Sequence, residues 1–135
     1  MTDVLKDLEQ TLLGASAAVI RRQTMWDFEF STGLKLHVEA VWRLRDAEAI
    51  KVTSSDDGHK FGLPASVDAQ ARATALLTGC TVTGVDLNSV TADLEITFSN
   101  GVVLDVLTDS MGNESWVAYL KGDTWAVGAN GIGLR

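Results

Sequence analysis

Apolar and polar residues alternate along two stretches of the chain that closely resemble each other. The stretch from Phe30 to Val38, FSTGLKLHV, returns 68 positions later as FSNGVVLDV, from Phe98 to Val106. Alternation with a period of two is typical of a strand with one buried face, and a glycine between two such runs favours a tight turn. Each stretch therefore predicts the turn and second strand of a β-hairpin.

The apolar pattern also predicts the length of each hairpin loop. Side chains directly opposite each other lie on the same face of a sheet. A three-residue loop at residues 31–33 places Phe28 opposite Leu36 and Trp26 opposite Val38, whereas a two-residue loop would mix the faces. Gly33 then takes the left-handed position of the turn. The same rule in the second copy gives these apolar pairs: Phe98 with Val102, Ile96 with Leu104 and Leu94 with Val106.

The polar faces of the two predicted hairpins differ in charge. In the first copy Glu29 lies opposite Lys35, so the charges balance. In the second copy Glu95 lies opposite Asp105, and like charges directly opposed in a sheet are unfavourable unless a cation relieves them. The loss of this balance in one copy is the sharpest functional signal in the sequence.

A helix and a strand are predicted before each hairpin. The helices span residues 2–13 and 67–78, and Gly14 and Gly79 end them. Ser66 is the expected cap of the second helix. The remaining predicted strands are residues 15–21, 46–53 and 80–85, an extension of the first hairpin to residue 44, and a closing hairpin at 116–120 and 124–127.

This order predicts a single α+β domain of 135 residues, built from a duplicated helix-strand-hairpin unit. The repeats span residues 3–45 and 67–109, and a closing hairpin spans 115–128. The strands form one antiparallel, pseudo-symmetric sheet with both helices on one face, or they curl into a partly open barrel. Residues 128–135 are expected to have little regular structure.

Composition and charge narrow the classes of function. No apolar run approaches the roughly 20 residues that a membrane-spanning helix needs. One cysteine, Cys80, cannot form an internal disulfide, and the first residues lack the pattern of a signal peptide, so we expect a cytoplasmic protein. The net charge is −7, of which residues 61–135 contribute −5. This sign argues against binding nucleic acid and permits a basic protein partner.

The residue types needed for catalysis or metal binding are scarce. His37 and His59 are the two histidines, and together with Cys80 they lack the spacing of a zinc site. His37 is predicted opposite Asp27, which resembles half of a catalytic pair, but an imidazole beside a carboxylate is common on protein surfaces. We therefore expect no enzyme activity, no metal and no cofactor.

Acidic residues and one tryptophan in the second half form the expected partner-binding surface. An exposed tryptophan beside carboxylates is a frequent centre of protein-protein contact. The predicted partner-binding residues are Asp93, Glu95, Asp105, Asp109, Glu114 and Trp116.

A motif in the second half carries a resemblance to known proteins. Leu94-x-Ile96-x-Phe98-x-x-Gly101-x-x-Leu104-x-Val106, followed by Glu114-Ser115-Trp116 and a hairpin with Trp125, resembles a family of small bacterial proteins of unknown function. In that family two such hairpins flank a helix in the same order. In size, acidity and architecture the chain also resembles immunity proteins of contact-dependent and polymorphic toxin systems, which neutralise toxins delivered between competing bacteria and carry no catalytic residues.

Two hypotheses of function follow. The first is an immunity protein that binds a basic toxin domain and occludes its active site. The second is a small-ligand-binding module with an apolar cavity lined by Trp26, Trp42 and Phe28. The sequence leaves the oligomeric state open, since an exposed edge strand can pair two copies.

Overall fold

The computed structural model describes residues 2–128 and 132–134. Within these residues the chain forms two helices, eleven strands and a short 3-10 helix, Ser54–Asp56. In chain order the elements are α1 (Thr2–Leu12), β1 (Ala17–Arg22), β2 (Met25–Phe30), β3 (Leu34–Val38), β4 (Trp42–Arg45), β5 (Ile50–Thr53), α2 (Ala69–Leu77), β6 (Val82–Leu87), β7 (Leu94–Phe98), β8 (Val103–Val106), β9 (Trp116–Leu120), β10 (Asp123–Gly128) and β11 (Ile132–Leu134). In this part of the chain neither helix is long and apolar enough to cross a membrane.

The predicted pairing of both repeated hairpins is confirmed. In the β2–β3 hairpin Phe28 lies opposite Leu36 and Trp26 opposite Val38. The turn closes with the amide of Gly33 donating to the carbonyl of Phe30 at 2.9 Å, and Gly33 has a φ of +96°. The β7–β8 hairpin has the same kind of pairing: Ile96 opposite Leu104, Leu94 opposite Val106 and Glu95 opposite Asp105.

The strands form two antiparallel sheets instead of the predicted single sheet or barrel. One sheet has six strands in the order β1-β2-β3-β9-β10-β11, and the other has five in the order β5-β4-β8-β7-β6. In the six-stranded sheet β1, β2 and β3 come from the first half of the chain, and β9 from the second half pairs with β3. In the five-stranded sheet β6, β7 and β8 come from the second half, and β4 from the first half pairs with β8. An antiparallel α+β fold is therefore correct, while the single sheet is wrong.

The change of sheet occurs directly after β3. The amides of Glu39 and Ala40 both donate to the carbonyl of Ser115, at 2.9 and 3.2 Å, which interrupts the strand. The chain then enters the other sheet with Trp42 opposite Val106. The predicted extension of the first hairpin to residue 44 is wrong because its later residues form β4.

The buried faces of the two sheets share one hydrophobic core. Trp42 of the five-stranded sheet is fully buried and meets two rings of the six-stranded sheet edge-to-face. The ring centroids of Trp42 and Trp26 are 5.0 Å apart, and those of Trp42 and Phe28 are 5.3 Å apart. Such pairs are worth about 0.5–1.5 kcal/mol each beyond the burial of their area.

The two helices pack mainly against edge strands, whereas the sequence predicted that they would cover one sheet face. Helix α1 contacts β6, and α2 contacts β1 and β5. Covering an edge strand keeps its unpaired backbone groups from pairing with another chain. The cap of α2 is Asp68, whose carboxylate accepts from the amide of Ala71 at 3.0 Å, so the predicted cap Ser66 is wrong.

The end of the chain is more regular than predicted for residues 128–135. Strand β11 pairs with β10, with Ala126 opposite Leu134. The prediction for residues 129–131 and 135 lies outside the described residues.

We expect the substitution Gly128→Ala to destabilise the fold. Gly128 lies opposite Trp116 on the neighbouring strand, and a Cβ at this position would collide with the indole ring. The ring cannot easily retreat, because its Nε1 donates to the carbonyl of Ala92 at 2.8 Å. Overpacking of this kind lowers the free energy of unfolding by about 1–3 kcal/mol.

Urea unfolding measures this difference, with Gly112→Ala as the matched control. A Cβ at Gly112 has no atom within 4 Å. If the two substitutions change the free energy of unfolding equally, the packing of Trp116 on Gly128 is not a constraint.

Candidate functional site

The outer face of the five-stranded sheet carries a row of charged side chains. Arg43 of β4 lies opposite Asp105 of β8, Asp105 opposite Glu95 of β7, and Glu95 opposite Asp86 of β6. Three acidic residues therefore follow one another across three adjacent strands. The opposition of Glu95 and Asp105 is the one that the sequence predicted.

Two arginines from the first half of the chain neutralise this pair. Arg43 Nε and Arg45 Nε lie 2.7 and 2.6 Å from Oδ2 of Asp105. Arg45 Nη2 also lies 3.0 Å from Oε2 of Glu95. The expectation that Glu95 and Asp105 lack a compensating cation is wrong, because β4 pairs with β8 and brings both arginines across.

The environment of Asp105 keeps its carboxyl group ionised. Burial by itself would raise the pKa of Asp105, but hydrogen bonds from Arg45 and Arg43 outweigh it and the pKa is lowered. The same contact raises the pKa of Arg45. Only 4% of Asp105 is exposed, so its carboxylate supports the sheet and does not present a charge to a partner.

The remaining predicted acid of this hairpin, Asp93, has a structural contact as well. Its carboxylate accepts from the amide of Thr108 at 2.8 Å, which ties the start of β7 to the segment after β8. With Arg43, Asp86 and Glu95 it lines a polar cleft of about 250 Å³. Because two arginines line this cleft too, it is not the uniformly acidic face that the sequence predicted.

Trp116 does not reach the surface. It is fully buried, and its Nε1 donates to the carbonyl of Ala92 at 2.8 Å. The prediction that Trp116 contacts a partner is therefore wrong. The alternation of β9 directs Trp116 inward, opposite Val38 of β3.

Asp109 and Glu114 lie together in the loop between β8 and β9. With Glu39, which follows β3, they line an open polar cleft of about 640 Å³, here named the loop cleft; its other residues are Ser110, Gly112 and Asn113. All three acids are exposed, and Asp109 and Glu114 take part in no ion pair among the described residues. Glu39 is separated from Asp109 by 70 positions, so no local pattern could have joined it to this group.

Two exposed apolar side chains stand next to the loop cleft. Val90 is 78% exposed and Met111 is 83% exposed. Both line a shallow cleft of about 360 Å³ together with Asp109, which also borders the loop cleft. Methionine is enriched in protein interfaces, so exposed apolar atoms flanked by carboxylates form a surface suited to a protein partner.

The predicted pair of Asp27 and His37 forms on the outer face of the six-stranded sheet. His37 Nδ1 lies 2.7 Å from Oδ1 of Asp27, and Arg22 Nε lies 3.0 Å from the other oxygen. Burial would raise the pKa of Asp27, but hydrogen bonds from His37 and Arg22 outweigh it and the pKa is lowered. His37 Nε2 faces Oε2 of Glu39 at 3.6 Å, so carboxylates lie on both sides of the ring.

Within the described residues, no group of three or more His, Cys, Asp or Glu side chains is arranged to hold a metal ion. The fold and the charged clusters define a small α+β protein of two antiparallel sheets with an acidic, partly apolar loop surface. The chain belongs to a family described as Family of unknown function (DUF6188), whose model matches residues 16–134. Comparisons with curated proteins and with solved structures gave no match.

We expect Asp105→Asn to destabilise the fold at neutral pH and to flatten its acid dependence. A carboxyl group with a lowered pKa in the folded state stabilises the fold above its unfolded pKa of about 3.9, and this contribution is lost as the pH falls through the lowered value. The substitution removes the negative charge that Arg43 and Arg45 share. We expect a loss of about 1–3 kcal/mol at pH 7 and a shallower slope between about pH 5 and pH 2.

Chemical unfolding across this pH range checks the expectation, and Asp86→Asn is the matched control. Asp86 is exposed, lies in the same row, and its carboxylate accepts only from the neighbouring amide of Leu87 among the described hydrogen bonds. Equal pH profiles for the two variants would show that the arginine contacts do not stabilise the fold.

Proposed function

We propose that this protein is an immunity protein, which binds a basic toxin domain of a competing bacterium in the cytoplasm and blocks it without catalysis. The observation that carries this proposal is the exposed surface formed by the loop cleft and the apolar side chains beside it. Asp109 and Glu114 are exposed there, and Val90 and Met111 expose most of their apolar area beside them. An apolar centre with a charged rim is the usual composition of a protein interface.

The charge of the whole protein supports the same kind of partner. A net charge of −7 accelerates the approach of a basic domain, and the exposed carboxylates of the loop cleft lie where that domain would dock. Rim charges change the association rate and its salt dependence more than they change the dissociation rate. The apolar side chains of Val90 and Met111 supply the slow dissociation that an inhibitor needs.

The proposed partner-binding site differs from the one that the sequence predicts. Asp93 and Asp105 are engaged in contacts within the fold, Glu95 is paired with Arg45, and Trp116 is buried. Asp109 and Glu114 remain as members of the site. Glu39, Val90 and Met111 join them.

The alternative, a small-ligand-binding module, has less support. It relied on an apolar cavity lined by Trp26, Trp42 and Phe28. Trp42 and Phe28 are fully buried and pack edge-to-face, so the rings fill the space between the sheets themselves. Trp26 borders an open cleft of about 180 Å³.

The test begins with the genes beside the gene for this protein, where we expect a basic toxin domain to be encoded, and it measures whether this protein neutralises that domain. We expect co-expression of the intact protein to restore growth and the purified pair to form a complex. Replacing Glu39, Asp109 and Glu114 by lysine should weaken binding at least about tenfold, mainly through slower association, with a smaller dependence on salt. Met111→Ser should accelerate dissociation.

The matched control changes three exposed acids elsewhere, Asp7, Glu48 and Asp123, to lysine. Net charge then shifts equally in both triple variants. Equal loss of binding in the two would leave only a general charge effect and overturn the site. The absence of any complex with the neighbouring toxin domain would overturn the function.

We also infer that the two halves of the chain arose by duplication of one helix-strand-hairpin unit. Equivalent bonds support this inference. The amide of Ser16 donates to Oγ of Ser31 at 3.0 Å, and the amide of Thr81 donates to Oγ of Ser99 at 3.1 Å. The two serines hold the same position in FSTG and FSNG.

If the units are equivalent, Ser31→Ala and Ser99→Ala should have equal effects. Each removes one acceptor, and we expect a loss of about 0.5–1.5 kcal/mol in the free energy of unfolding. Ser89→Ala is the control, since Ser89 is exposed and accepts no described hydrogen bond. A loss confined to one of the two serines would contradict the equivalence.

A further inference from the structure

Phe61 differs from the other phenylalanines of the chain. The protein has four phenylalanines, and three of them, Phe28, Phe30 and Phe98, are at most 4% exposed. Phe61 is 66% exposed and lies in the segment between the 3-10 helix and α2. We name residues 58–67 the Phe61 loop. An aromatic side chain in this position adds nothing to the core, although it is the kind of side chain that dominates binding energy in interfaces.

Backbone hydrogen bonds hold the Phe61 loop in one shape. The amide of Gly58 donates to the carbonyl of Val67, and the amide of Val67 donates to the carbonyl of His59, both at 2.8 Å. At the tip, Phe61 and Gly62 have φ values of +49° and +76°. Asparagine or glycine is usual where φ is positive, so the fold holds a disfavoured residue outward at the tip.

An apolar groove begins two residues after Phe61. Leu63 is 43% exposed, and together with Pro64, Asp68, Ala71 and Arg72 it lines a groove of about 410 Å³. The imidazole of His59 stacks on the ring of Phe61, with the centroids 5.5 Å apart. The exposed apolar area is thus continuous along the chain from the loop tip to the groove.

The charge of this region is opposite to that of the whole protein. Residues 58–72 contain Lys60 and Arg72 against a single acid, Asp68, giving +1 in a chain of −7. The carboxylate of Asp68 is occupied in capping α2. Lys60 and Arg72 form no ion pair among the described residues, so both cations are available to a partner.

We propose that the Phe61 loop is a second docking surface, which binds an acidic peptide segment of a partner protein. An apolar side chain of the segment enters the groove beside Leu63 and Pro64, Phe61 covers it, and neighbouring carboxylates pair with Lys60 and Arg72. The complementarity is the reverse of that at the loop cleft, and the two surfaces share no lining residue. This surface therefore takes a different partner from the basic domain proposed above.

The test is a titration of the full chain, isotope-labelled for NMR, with short synthetic peptides at low ionic strength. The probe has two central leucines flanked by glutamates and is capped at both ends. One control peptide has lysine in place of glutamate, and the other has serine in place of leucine. We expect the amide signals of residues 58–72 to shift with the acidic peptide, and each control peptide to bind at least about tenfold more weakly.

Variants separate this surface from the rest of the molecule. Phe61→Ser should remove the shifts, and Lys60→Glu with Arg72→Glu should reverse the preference between acidic and basic peptides. Leu13→Ser, which alters an exposed apolar side chain outside both proposed surfaces, should leave peptide binding unchanged. Every substituted residue is exposed, so we expect each variant to fold. The amide spectrum of each variant checks this.

Three results would overturn the proposal. The first is the absence of any shift in residues 58–72 at the highest soluble peptide concentration. The second is a shift that depends on protein concentration without peptide, which would identify a second copy as the occupant. The third is broadening of these signals by vesicles of anionic lipid with no response to the acidic peptide, which would identify a membrane surface.

Discussion

The pairing of β4 with β8 is the constraint on which the rest of the structure depends. Because the chain leaves the first sheet after Val38, the side chains of β4 complete the sheet of the second half on both of its faces. On the inner face, Trp42 meets the rings of the opposite sheet. On the outer face, Arg43 and Arg45 neutralise two opposed carboxylates. The pairing of β4 with β8 therefore supplies both core packing and charge balance.

The outer face of each sheet carries one aspartate that is buried and paired with arginine. Asp27 and Asp105 are both almost completely buried, and each is held by arginine, with His37 as the second partner of Asp27. Groups engaged in this way cannot serve a partner without a large penalty for breaking a buried pair. The acids of the loop cleft lie in loops, where backbone and side chains are already exposed to water.

The features that the sequence predicts correctly depend on residues close together in the chain, and the features that it misses depend on distant residues. The pairing of Glu95 with Asp105 follows from alternation within one hairpin, and it is present. Its supposed lack of a cation was wrong because the arginines lie about 60 positions away in the sequence. The burial of Trp116 does not follow from the pattern of β9 alone, because it depends on the pairing of β9 with β3, a strand about 80 positions earlier in the sequence. The acids of the loop cleft come from two segments that no local pattern connects.

By itself the sequence determined the local structure: both helices, the repeated hairpins and their three-residue turns, since these depend on side-chain periodicity and on glycine at positive φ. It also determined the acidic character of the protein. Only the tertiary structure decided which sheet each hairpin joins, and with it which carboxylates are neutralised and which stay exposed. The physical reason is that strand pairing between distant segments is selected by the packing of a shared core, which no short stretch of sequence encodes.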